Sequence, residues 1–160
     1  MLSKEYKSQL ITEQEAASLA EKYYGLKGKL TSLDGEVDFN FRLLADDGQA
    51  YAMKVSRVGT EEEEIAFQEK IMTHLSRQEL GIQLPEPILS LERNGYEKIQ
   101  DQAGNHRWLR VQSWIDGRMM DEVKPQIAPV LKSWGRACGY LSKGLKDFDH
   151  PAAHKYYKWD

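Results

Sequence analysis

Residues 37–56, VDFNFRLLADDGQAYAMKVS, decide the reading of the fold. Val37, Phe39, Phe41 and Leu43 alternate with Asp38, Asn40 and Arg42, which is the period of a strand with one buried face. Asp46-Asp47-Gly48 turns the chain, and a second strand runs from about Ala50 to Ser56. Its alternation puts Tyr51, Met53 and Val55 on one face and Ala52, Lys54 and Ser56 on the other, so that Lys54 falls mid-strand among small neighbours. Upstream, a short strand from about Lys29 to Leu33 leaves Asp34 to Asp38 as a tight turn. Before it, Thr12-x-x-Glu15 is a capping box that predicts a helix over 13–24, stopped at Gly25.

Downstream, Thr60 followed by Glu61 to Glu64 predicts a second helix that continues to about Arg77, with Thr60 as its cap and the carboxylates at the positive helix end. Asn94-Gly95 signals a hairpin between Ile88–Arg93 and Tyr96–Gln100, and Ala103-Gly104-Asn105 turns into a last strand, Arg107 to Ile115. Asp116-Gly117 closes the sheet region, and from about Pro125 to Leu145 the pattern is helical, though Gly135 and Gly139 weaken it. Hairpin-joined strands with one helix inserted after the Lys54 strand give an α+β layout, an antiparallel sheet of about five strands followed by a helical part.

The 160 residues make one ordinary domain or part of a larger one, with 41% hydrophobic and 29% charged residues, which sets aside disorder and a disulfide scaffold. With 22 basic and 25 acidic residues the chain has no electrostatic footprint for nucleic acid or anionic lipid. The one cysteine, Cys138, forms no internal disulfide and points to a reducing compartment; between Gly135 and Gly139 it reads as a small residue in close helix packing. No stretch approaches the roughly 20 apolar residues of a membrane span. The expectation is a cytoplasmic protein without nucleic-acid or membrane partners.

Two features carry chemistry. Backbone amides of a tight turn between antiparallel strands can cover a phosphate, although the stretch 34–38 is equally a plain hairpin. A lysine on an inward strand face must either snorkel or meet an anion, and Lys54 is such a lysine.

The order of these parts, with Ala52-Met53-Lys54-Val55, the acid-started helix, Leu84-Pro85-Glu86-Pro87 and Val111-Gln112-Ser113-Trp114-Ile115-Asp116-Gly117, resembles the nucleotide-binding lobe of the aminoglycoside phosphotransferase and choline kinase superfamily, whose fold is protein-kinase-like. Asp38-Phe39-Asn40-Phe41-Arg42-Leu43 and the stretch from Phe148-Asp149-His150-Pro151 to Trp159-Asp160 are similar to hydroxylysine kinase-like phosphotransferases, including those fused to class III aminotransferases in large bacterial proteins. The resemblance implies an N-lobe over 1–115, and over 116–160 a hinge with the first helices of a truncated C-lobe. It makes Lys54 the lysine that pairs with the α- and β-phosphates of ATP or GTP, and Asp34, Gly35, Glu36 and Val37 the phosphate-covering turn. Gln68 falls where many relatives carry a glutamate paired to that lysine. Ile65, Gln68, Met72 and Leu75 share a helical face, so Gln68 is expected to point inward and accept a hydrogen bond from Lys54, with Glu64 the lesser charged partner. The backbone of Ser113 and Ile115 is expected to hold the adenine edge; the alternative is that Trp114 and Ile115 only end a core strand.

Phosphoryl transfer in this superfamily uses a His-x-Asp-x-x-x-x-Asn-like loop and a further aspartate for magnesium, and the sequence contains no such loop: none of His74, His106, His150 and His154 has an aspartate two residues on. Mg2+ is therefore expected only together with a missing lobe, and so is the small-molecule acceptor. His150 and His154 have the i, i+4 spacing of a metal pair but lack further ligands nearby, and they read as packing or surface residues. The sequence thus describes the nucleotide-clamping part of a phosphotransferase, inactive alone, with an exposed truncated face near 112–145 through which it could dimerise. The other reading is a non-catalytic nucleotide- or protein-binding module on the same fold, with that face covered.

Overall fold

The computed structural model describes residues 10 to 154. Helix α1 (Glu13–Tyr24) begins as its capping box directs: Thr12 Oγ1 accepts from the Glu15 amide at 3.1 Å, and Gly25 ends the helix at φ 67°, a left-handed position that favours glycine. The return arm of the box is not made. Glu15 is buried and accepts instead from the Gln102 amide at 2.7 Å, which ties α1 to a distant turn of the sheet.

Six antiparallel strands follow: β1 (Gly28–Leu33), β2 (Phe39–Ala45), β3 (Ala50–Val55), β4 (Pro87–Ile88), β5 (Glu97–Gln100) and β6 (His106–Ser113). The sheet order is β1-β2-β3-β6-β4, and β5 also pairs with β6. The architecture is the expected α+β one, with one strand more than the five anticipated. The predicted hairpin across Asn94-Gly95 does not form. Instead β4 pairs with β6 at Pro87↔Gln112 and Ile88↔Val111, and β5 pairs with β6 from Glu97↔Leu109 to Gln100↔His106, so both line the same edge of β6 in succession. Between them the chain loops over Ser90 to Asn94, because Glu97 collects the side chains of Ser90 (2.5 Å) and Asn94 (3.0 Å) and leaves residues 89–93 no strand partner.

One sheet face is apolar. Phe41, Leu43, Met53, Val55, Ile99, Leu109 and Val111 are all at most 2% exposed, packed with Ala16, Leu19, Ala20 and Tyr24 of α1. Each such side chain contributes about 1.5–3 kcal/mol on burial, which makes this layer the main source of stability. At its end Arg107 pairs with Asp101 at 2.6 Å and donates to the Ser56 carbonyl at 3.1 Å, fully enclosed.

Helix α2 (Glu62–Ser76) lies across the opposite face: Gln112 Nε2 is 3.0 Å from Met72 Sδ, and Trp108 Nε1 donates to the Thr60 carbonyl at 2.9 Å. The Thr60 hydroxyl donates to the Arg57 carbonyl rather than capping the helix, and Glu61 is the N-cap residue without a side-chain cap. The outer side of α2 is covered by residues 144–152. Phe67 stacks near Phe148 and His150 (ring centroids 6.1 and 5.4 Å), and the Gly144 carbonyl accepts from Gln78 Nε2 at 2.7 Å and lies 2.9 Å from His74 Nε2. His150 is thus a packing residue, while His154 pairs with Asp149 on the surface.

Helix α3 (Ala128–Gly144) starts later than Pro125 and has Pro129 in its first turn. It is almost wholly exposed: Leu131, Trp134 and Tyr140 are open, as are Ile127 and Met119 before it. Cys138 is exposed and none of the described residues approaches Gly135 or Gly139, so the close packing expected there is not seen among them. No helix among the described residues is long and apolar enough to cross a membrane. Residues 155–160, which contribute to the resemblance at Trp159-Asp160, lie outside the described residues.

Candidate functional site

The strand register that buries Met53 and Val55 necessarily turns Lys54 to the other face. There the ladders place Asn40 of β2, Lys54 of β3 and Arg110 of β6 directly opposite one another in one row, and Arg42, Ala52 and Gln112 in the next. Lys54 is half-buried and has neither hydrogen bond nor ion pair among the described residues. Burial, and then the neighbouring Arg110 guanidinium, push its pKa below the usual 10.5, against the pull of Asp38. An ammonium so placed is desolvated and electrostatically uncompensated, which favours the arrival of an anion.

The turn over this row is shaped by contact. A Cβ on Gly35 would run into the Asn40 side chain and lie 2.7 Å from the Asp38 carbonyl, and Asn40 Nδ2 donates to that same carbonyl at 3.1 Å. Asp34, Gly35, Glu36 and Val37 form its exposed rim, while Asp38, half-buried, reaches inward to Arg110 at 2.5 Å.

Beyond the row, β6 runs on into residues 113–115. Ser113 lies three residues past Arg110, about 10 Å along an extended strand. The Ser113 amide donates to the Glu86 carbonyl (2.8 Å) and its hydroxyl accepts from the Glu86 amide (2.9 Å). The Trp114 amide donates to the Ala50 carbonyl, and the Trp114 ring lies under Arg42. The next amide, that of Ile115, bonds to none of the described residues. Concavities at Val58–Glu62 with Trp108, and at Leu75–Glu86 with Ser113, flank this face without including Lys54.

Lys54, Asp38 of the turn and the Trp114 ring thus share one face. Gln68 does not join them: it is exposed. The sheet-facing side of α2 runs Ile65, Glu69, Met72, and Glu69 is its carboxylate, half-buried, its pKa raised by burial and lowered again in part by Arg110. The inward orientation assigned to Gln68 fails because α2 is packed on two sides, so that a face centred on Ile65 and Leu75 points between them. Arg110 shares the parity of Gln112, opposite to the buried Leu109 and Val111, but that it stands across the ladder from Lys54 is set by register, which alternation within one strand does not give. Among the described residues no three His, Cys, Asp or Glu side chains converge as a metal site.

Residues 29–158 match the model of the phosphotransferase enzyme family. The chain belongs to that family. Among solved structures, a complex of an amicoumacin kinase with AMP-PNP, Ca2+ and its ligand superposes with a TM-score of 0.75 at 22% identity, covering 99% of this chain and 47% of the other. A microcompartment-associated aminopropanol kinase superposes with a TM-score of 0.69 at 18% identity, covering 91% and 44%. A search of curated proteins finds no match. These likenesses give the phosphotransferase chain the kinase-like fold; it spans about half the length of each of those kinases.

Proposed function

We propose that this chain clamps the nucleotide, ATP or GTP, of a phosphotransferase whose γ-phosphate passes to a hydroxyl on a small amine or amino acid. One observation carries the reading: Lys54 is a half-buried ammonium without a partner, beneath a turn pressed onto its neighbour Asn40. Lys54 would neutralise the α- and β-phosphates, the amides of Asp34 to Val37 would cover them, and the free Ile115 amide with the Ser113 carbonyl would meet the purine edge. In the transfer, the acceptor oxygen forms a bond to the γ-phosphorus as the bond to the bridging oxygen breaks and the nucleoside diphosphate leaves. This chain's share is to hold the leaving group.

The acceptor class rests on the resemblance to hydroxylysine kinases and on the amino alcohol in the name of the aminopropanol kinase. The sequence has no His-x-Asp-x-x-x-x-Asn, so residues 1–160 bind and do not transfer; the exposed apolar side of α3 would meet the rest of a kinase of full relative length. A divalent metal, Mg2+ in the expected reaction, finds no ligand set in residues 10–154 and would be held with those further groups. Calorimetry with ATP and GTP tests the clamp: Lys54→Ala is expected to weaken binding about tenfold or more. Equal affinity in wild type and variant would demote Lys54 to a structural lysine. Phosphorylation of an amino alcohol by residues 1–160 alone would contradict the assignment of transfer to groups elsewhere.

A further inference from the structure

The charged groups on this side of the sheet are chemically complementary and incompletely paired. Arg110 is 3% exposed and sits directly across the ladder from Lys54. Its Nη2 donates to Asp38 at 2.5 Å, yet its Nη1, equally enclosed, has no hydrogen bond. Glu69 of α2 lies against Gly95, where a Cβ would come within 2.7 Å of its carboxyl carbon, and its carboxylate has no bond among the described residues although it interacts electrostatically with Arg110.

We propose that Arg110 is a positioning residue that holds Asp38, the carboxylate of the turn beside Lys54, and so keeps the Lys54 ammonium free for phosphate. The proposal rests on Lys54 being the phosphate lysine. Two cations and one carboxylate, Lys54, Arg110 and Asp38, meet in this region, and their distribution decides what a polyphosphate meets on entry. A guanidinium is planar and weakly hydrated, so it tolerates full burial and holds a carboxylate at a fixed angle; an ammonium does neither as well. With Asp38 drawn to Arg110, Lys54 is the cation left over. The same bond seats the turn, because Asp38 closes the 34–38 segment and Arg110 belongs to the most deeply buried strand.

The test uses the full-length protein, with ATP and adenosine as paired probes and Lys54→Ala as reference. Asp38→Asn and Arg110→Met are each expected to weaken ATP about tenfold or more while leaving adenosine unchanged. Arg110→Lys, which keeps the charge but not the two arms, recovers part of the loss. NMR titration of the Lys54 Nζ supplies a readout that simple loosening does not mimic. Losing Arg110 removes a like charge and releases Asp38, so the Lys54 pKa rises; losing the Asp38 charge removes a favourable neighbour, so it falls. Loosening would expose Lys54 and raise it in both. If Lys54→Ala loses ATP while Asp38→Asn and Arg110→Lys keep it, or if both pKa values move upward, the positioning role is overturned and the Lys54 reading stands. If Lys54→Ala itself keeps ATP, the underlying reading fails and takes this one with it. Should Arg110→Met not fold, Asp38→Asn at the partly exposed turn decides alone.

Discussion

Two charged residues show how burial sets behaviour residue by residue. Lys54 titrates below its usual 10.5, so nucleotide affinity is expected to fall on the alkaline side before an ordinary lysine would lose its charge; Lys54→Arg, which does not titrate there, should flatten that limb in a pH series of binding measurements. Asp101 behaves in the opposite sense. Burial pushes its carboxyl up, but hydrogen bonds from Asn105 and Arg107 outweigh this and hold it below the usual 3.8. A depressed carboxylate contributes stability that is present above the unfolded value and lost as pH falls through the folded one. Asp101→Ala leaves the Arg107 charge enclosed and is expected to cost about 3–5 kcal/mol at neutral pH, read as a shifted urea midpoint. The loss should shrink as the wild type is acidified below the usual carboxylate range, where Asp101 protonates. Lys54 was legible from alternation alone. Arg110 and Glu69 were not singled out, because their importance lies in what stands across the ladder and across the helix, and register is a tertiary fact.

At the level of elements, local rules held where one surface decides and failed where two compete. Helix α1 has its cap, its stop and one apolar side, and it runs over the residues that its sequence signals mark. The strands β2 and β3 follow their alternation for the same reason. Asn94-Gly95 carries a strong hairpin signal, yet Glu97 captures Ser90 and Asn94 and β6 offers its edge to both flanking segments, so pairing to the long strand wins. In α2, packing on both sides removed the single face on which the placing of Gln68 depended. The turn over Lys54 gives the prediction at this scale. Gly35→Ala must displace the Asn40 side chain or the Asp38 backbone, so it is expected to weaken ATP binding several-fold through the charge-assisted contacts of the turn, while Val37→Ala, at an exposed position, changes little. Comparable losses in both variants would mean that the turn acts through general loosening and not through its seat on Asn40.

For the whole molecule, the sheet and α1 form a closed core, whereas α3 presents Leu131 and Trp134, in line with Ile127 before it, to solvent. A stripe of this kind marks a surface built to be covered. Residues 1–160 alone are expected to bind a hydrophobic dye and to self-associate with rising concentration in sedimentation, and Leu131→Lys with Trp134→Lys to abolish both without lowering the melting temperature. A monomer that binds no dye at any concentration would favour the self-sufficient binding module. The amphipathic pattern announced the helix, and the exposed face expected near 112–145 came from the resemblance, since such a pattern is the same whatever covers it.

The grip of residues 144–152 on the outer side of α2 has a mechanical consequence. The Gly144 carbonyl takes hydrogen bonds from two side chains of the α2 region, and Phe67 and His74 clasp Phe148 and His150. The end of α3 and the body of α2 are therefore riveted into one lever, with Glu69 at its sheet end. Whatever docks on α3 and tilts it would swing that carboxylate towards or away from Arg110, so a contact far from the nucleotide would be felt at the phosphates. Amide hydrogen exchange offers the check: docking on α3 should slow exchange in α2 and α3 together, and slowing confined to α3 would break the linkage.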